Sequence, residues 1–83
     1  MDSVLNMVND VFRELFEDDT LTVRRETTAM DVQGWDSLNH VRLILDVEKA
    51  FRIRFMSSEV SSLKNVGDLV DLIESKTKRN ANS

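Results

Sequence analysis

Cysteine, proline and tyrosine are absent from this chain, and glycine occurs only twice, at Gly34 and Gly67. Without cysteine there is no disulfide framework, no thiolate zinc cluster and no thiol chemistry supplied by the chain itself. The single histidine, His40, excludes a metal site built on several imidazoles. Asp18, Asp19 and Asp31 lack the spacing of a calcium loop. No apolar run approaches the roughly 20 residues of a membrane span. The opening Met1-Asp2-Ser3-Val4 has neither the basic start nor the long apolar stretch of a secretory leader, so the expected location is cytoplasmic. So few backbone breakers predict a mostly helical chain.

What is present fits one small domain. The 83 residues are 41% apolar and 31% charged. A chain this short buries only about 60–65% of the surface it would expose unfolded, which leaves little volume for a deep active site. Binding or carrying is favoured over catalysis. The net charge of -4 disfavours nucleic acid as a partner. It is unevenly spread: residues 1–36 hold three basic and nine acidic side chains, and residues 37–83 hold eight and six.

Val4, Val8, Val11, Phe12 and Leu15 recur at helical spacing and predict an amphipathic helix from about Asp2 to Glu17. From Asp18 to Trp35 the periodicity stops, and a long ordered loop is expected, anchored by Leu21 or Val23, Ala29, Met30, Val32 and Trp35. Asp36 is placed to cap a helix from Ser37 to about Phe51, with Leu38, Val41, Ile44, Leu45 and Phe51 as its apolar stripe, widened by Leu43 and Val47. Ile53 and Phe55 read as an extended connection, with Arg52 and Arg54 turned away. A short helix is expected from Ser57 or Ser58 to Leu63. Asn65 then caps the last helix, with Asp68 placed as in a capping box and Val66, Leu69, Val70 and Ile73 on the buried face. Lys76, Lys78 and Arg79 suit that helix's C-terminal end. The fold class expected is all-α: a small four-helix bundle with three longer helices and one short one, a single domain over residues 1–79, and a disordered tail at 80–83.

Ser37 is the residue with chemistry to offer. It follows Gly34-Trp35-Asp36 at a helix start, where a phosphoester would meet free N–H groups and the positive end of the helix dipole. On local grounds alone, a serine there is more often an unmodified capping residue. His40 lies three residues further on, within reach of a nucleophile–base pairing. No Gly-x-Ser-x-Gly turn supports a hydrolase, and no enzyme activity is expected.

The run Gly34-Trp35-Asp36-Ser37-Leu38-Asn39-His40-Val41-Arg42-Leu43-Ile44-Leu45 resembles the attachment region of acyl carrier proteins. The resemblance continues through Val47-Glu48-Lys49-Ala50-Phe51-Arg52-Ile53 and resumes at Asn65-Val66-Gly67-Asp68-Leu69-Val70-Asp71-Leu72-Ile73. It implies that a phosphopantetheinyl transferase attaches 4'-phosphopantetheine from coenzyme A to Ser37, and that the arm's thiol carries acyl or aminoacyl cargo as a thioester. It also implies a monomer that a loading ligase and downstream biosynthetic enzymes meet on the second helix. Asp36, Leu38, Val41, Arg42, Asp46, Glu48 and Lys49 would form that partner surface. The family's second helix is commonly acidic. Here Arg42 and Lys49 interrupt it, and Arg52 and Arg54 follow. Together with Trp35, this looks more like dedicated carriers of polyketide, peptide or aminoacyl pathways than the general carrier of fatty acid synthesis. The alternative from a different class is an unmodified helical adaptor that uses the same surface.

Overall fold

The computed structural model describes residues 3–81, with side chains to residue 77. Four α-helices follow in order, α1 (Ser3–Leu15), α2 (Ser37–Phe51), α3 (Ser57–Ser61) and α4 (Val66–Ala81), with a single 3-10 turn at Ala29–Asp31. The expected all-α bundle of three longer helices and one short one is what forms. α1 packs on α2 and α4 around Val8, Phe12, Leu43, Val47, Val66, Val70 and Ile73, all fully buried. α4 runs to Ala81. Residues 82–83 lie outside the described residues, as do the side chains of Lys78 and Arg79.

The long loop between α1 and α2 is ordered by a buried polar tie. The Asn9 side chain on α1 accepts from Val23 N–H at 2.7 Å and donates to the Val23 carbonyl at 3.1 Å. Arg13 Nε–H donates to the Leu21 carbonyl at 2.7 Å. Val23 and Val32 are buried, as expected of loop anchors, but Ala29 and Met30 are not. Met30 is 96% exposed. The reason is local: Asp31 accepts from Thr28 N–H and Oγ1–H, closing the 3-10 turn on itself and turning Met30 outward.

The same loop caps α4. Thr27 and Arg25 carbonyls accept from Val66 and Gly67 N–H, at 2.9 and 2.6 Å. Asn65 Oδ1 takes Asp68 N–H at 2.8 Å, so the first-turn amides of α4 are satisfied. Only half of the expected capping box forms, because the Asp68 carboxylate accepts from Lys64 N–H instead of the Asn65 amide. Gly67 is needed for the approach to Arg25: a Cβ there would lie 2.9 Å from the Arg25 carbonyl oxygen. Gly67→Ala should therefore lower the urea midpoint of unfolding and loosen the loop, read as faster amide exchange at residues 66 and 67.

α2 begins and ends as expected, but its faces are rotated from the expected stripe. Leu43, Ile44 and Val47 are its buried residues. Leu38, Val41 and Leu45 stand 63, 55 and 50% exposed. A helix apolar over most of its circumference gives periodicity no way to say which side meets the core.

Candidate functional site

Ser37 is the first residue of α2 and is exposed. Its position is set by the turn before it. Gly34 has φ +90°, a left-handed conformation that favours glycine. The Gly34 carbonyl then accepts from Asp36 N–H at 3.0 Å and from Asn39 Nδ2–H at 2.6 Å. Asp36 caps the helix: its Oδ1 takes Asn39 N–H at 2.9 Å and its carbonyl takes His40 N–H at 2.8 Å. Such a cap contributes about 1 kcal/mol. The backbone N–H groups of Ser37 and Leu38 remain without an acceptor among the described residues.

A cleft of about 480 Å³ opens beside Ser37, between the start of α2 and the turn before α4. Trp35, His40, Leu43, Leu63 and Leu69 give it an apolar wall, and Lys64 stands exposed at its edge. Trp35 packs its edge on the Phe12 ring, 5.2 Å between centroids at 79°, and so anchors the pre-helix turn in the core. Its indole N–H donates to His40 Nδ1 at 3.1 Å. His40 is thus engaged with Trp35, and no hydrogen bond joins it to Ser37 among the described residues. That removes the geometric basis of a serine–histidine hydrolase.

The exposed face of α2 brings Leu38, Val41, Arg42, Leu45 and Lys49 together, continued by Met56 at 67% exposure just before α3. A second groove of about 480 Å³ runs between α2 and α3, lined by Val41, Ile44, Leu45, Phe55, Val60 and Leu63 among others. Asp46 does not join this face. It is half-buried and, with Lys49, borders a depression against Val11 and Glu14 of α1. Glu48 is set apart as well. Its Oε2 accepts from Phe55 N–H at 2.8 Å, and its carbonyl takes the N–H groups of Arg52 and Ile53. That carboxylate holds the α2–α3 connection behind Arg52, which sits in the left-handed region at φ 57°. A hydrogen bond to a charged acceptor contributes about 1.5–3 kcal/mol. Glu48→Ala should cost an amount in that range in chemical denaturation, while Asp46→Ala should cost much less.

Leu45 and Met56 were not singled out as surface residues from sequence. Leu45 read as core, and no pattern marked Met56. Among the described residues no cluster of His, Asp or Glu is arranged to hold a metal ion, and no helix is long and apolar enough to cross a membrane.

No family model matches the chain. Individual proteins do. It is 31% identical over 74 residues to an acyl carrier protein of Clostridium acetobutylicum, covering 89% of this chain and 96% of that one. It is 38% identical over 72 residues to an acyl carrier protein of Coprothermobacter proteolyticus, covering 78% and 88% respectively. The solution structure of a holo acyl carrier protein from Geobacter metallireducens superposes with a TM-score of 0.89 at 42% identity, over 95% of this chain and 91% of that one. With the bundle, the capped serine turn and relatives matched over nearly their whole length, the chain belongs to the acyl carrier protein family.

Proposed function

We propose that this carrier holds acyl or aminoacyl groups as thioesters on a 4'-phosphopantetheine arm joined to Ser37 Oγ, in a dedicated biosynthetic pathway. Like its family it is a carrier and not an enzyme. The observation that carries the reading is the placement of Ser37: exposed, first in α2, lining a cleft, beside two N–H groups without acceptors among the described residues. The residues fit a phosphodiester. The Ser37 and Leu38 amides and the positive end of the α2 dipole lie at the same helix start, and exposed Lys64 edges the same cleft. When attached, the arm supplies the thiol that the chain, having no cysteine, lacks.

Asp36 and Leu38 flank the serine and are read as contacts for the phosphopantetheinyl transferase. Leu38, Val41, Arg42, Leu45 and Lys49 are read as the docking face for the loading ligase and later enzymes, with Asp46 at its border. A monomer working in the cytoplasm suits this role. The test is intact-mass measurement after incubation with coenzyme A and a broad-specificity transferase. The wild-type chain gains the mass of the arm and Ser37→Ala gains none. No gain with several transferases would leave the unmodified adaptor as the better reading, and Ser37→Ala would then keep full partner binding.

A further inference from the structure

Among the described residues, two other than glycine hold the left-handed backbone conformation: Glu17 at φ 51° and Arg52 at φ 57°. Both follow the end of a longer helix. The Asp18 N–H reaches back to the Arg13 carbonyl at 3.0 Å, and the Ile53 N–H to the Glu48 carbonyl at 3.1 Å. These are the wide closing bonds of a helix ending that usually places glycine in the left-handed position. A side chain there crowds its Cβ against the following carbonyl oxygen, so each residue is held at a cost in stability.

The fold gives the Arg52 side chain no partner. Its guanidinium is exposed and makes no ion pair among the described residues. The acid one turn earlier, Glu48, is taken by Phe55 N–H at 2.8 Å. Ile53 is buried, which leaves Arg52 and Arg54 exposed on either side of it. A place near the negative end of the α2 dipole is the one structural benefit in view, and salt screens it. The arm is out of reach: Ser37 is fifteen residues away along α2, about 22 Å at the usual helical rise.

We infer that Arg52, with Arg54 after it, is a specificity-determining contact for the loading enzyme, reading carboxylates on that enzyme's surface. This rests on the docking reading above and singles out one of its cations by the strain at which it is kept. Exposed Met56 follows the pair along the same connection, and Arg and Met are both types that protein interfaces favour. A net charge of -4 opposes a phosphate-rich nucleic acid or lipid surface. Glu17 shares the strain and carries the opposite charge, which makes it the internal control.

The experiment uses the full chain, loaded on Ser37 by transferase and coenzyme A, and a purified ligase that intact mass shows to charge it. Urea unfolding is read at low and high salt, and association with the ligase by stopped flow. Arg52→Gly should raise the urea midpoint, most clearly at high salt, while slowing association several-fold at low salt. Arg52→Lys keeps the charge and should keep most of the rate. Glu17→Gly should raise the midpoint too but leave association unchanged. A lower midpoint for Arg52→Gly at both salts makes Arg52 a structural residue and overturns the proposal. So does an unchanged association rate, or an equal slowing in Glu17→Gly. Binding of the wild-type chain to phosphatidylglycerol vesicles, lost in Arg52→Gly, would overturn it in favour of a lipid surface. A chain that gains no mass from coenzyme A overturns the Ser37 reading, and the ligase as partner falls with it.

Discussion

Asn9→Ala is expected to cost this protein a large share of its stability, about 2–4 kcal/mol on the usual penalty for buried polar groups left without partners. The substitution removes both ends of a tie. Val23 N–H loses its 2.7 Å acceptor and the Val23 carbonyl loses its 3.1 Å donor. Val23 is 1% exposed, so water cannot take over. Domains have only about 5–15 kcal/mol to lose, and short ones sit at the low end. Asn9→Asp should be nearly as damaging at neutral pH, because it sets a carboxylate against the Val23 carbonyl. Urea unfolding checks both, with a lower midpoint and an unchanged slope. A midpoint shift no larger than that of an exposed helix substitution such as Asn6→Ala would sink the argument. The functional consequence runs along the chain: the segment that Asn9 holds is the one that caps α4 and leads to the Gly34 turn before Ser37.

Charge reversal on α2 is the second large effect. Arg42, Lys49, Arg52 and Arg54 are exposed, and no ion partner is seen for them among the described residues. Of the acids on the same helix, Asp46 is half-buried towards α1 and Glu48 is engaged by Phe55 N–H. The apolar face formed by Leu38, Val41 and Leu45 therefore has exposed Arg42 and Lys49 on the same helix, with exposed Arg52 and Arg54 following it in the chain, although the net charge is -4. A partner that reads these cations carries an acidic patch. Changing all four to Glu should slow association with the cognate loading enzyme by about tenfold or more at low salt, with the gap narrowing as salt rises. Stopped-flow association across a salt series reads this, and circular dichroism checks that the helices persist. Equal rates for both chains at every salt would make these residues ordinary surface.

The legible parts of the sequence were those where one residue decides one thing. Asp36 after Gly34 marked the start of α2, and Val66, Leu69, Val70 and Ile73 marked the buried face of α4, because neighbouring turns offer no competing apolar stripe. α2 itself was ambiguous for the opposite reason. Eight of its fifteen residues are hydrophobic, and Leu38, Val41 and Leu45 are turned to solvent while Leu43, Ile44 and Val47 are turned inward. Met30 looked like an anchor until the Asp31–Thr28 turn showed how a local hydrogen bond outweighs one apolar side chain. Asn9 carries no sequence signal at all, since a buried asparagine on a helix reads like any surface polar residue. The Trp35–His40 bond was equally hidden. Both residues were noticed, but only the capped turn brings an indole donor to a particular ring nitrogen.

Trp35 is the one tryptophan in the chain, and there is no tyrosine. Its indole sits in the wall of the cleft beside Ser37 and against the single imidazole. The near-ultraviolet emission of the whole protein therefore comes from one vantage point, in the same cleft as Ser37, the residue proposed to receive the arm. On the proposed reading of Ser37, loading should alter the colour and brightness of that emission without any dye, which makes Trp35 an optical gauge of occupancy.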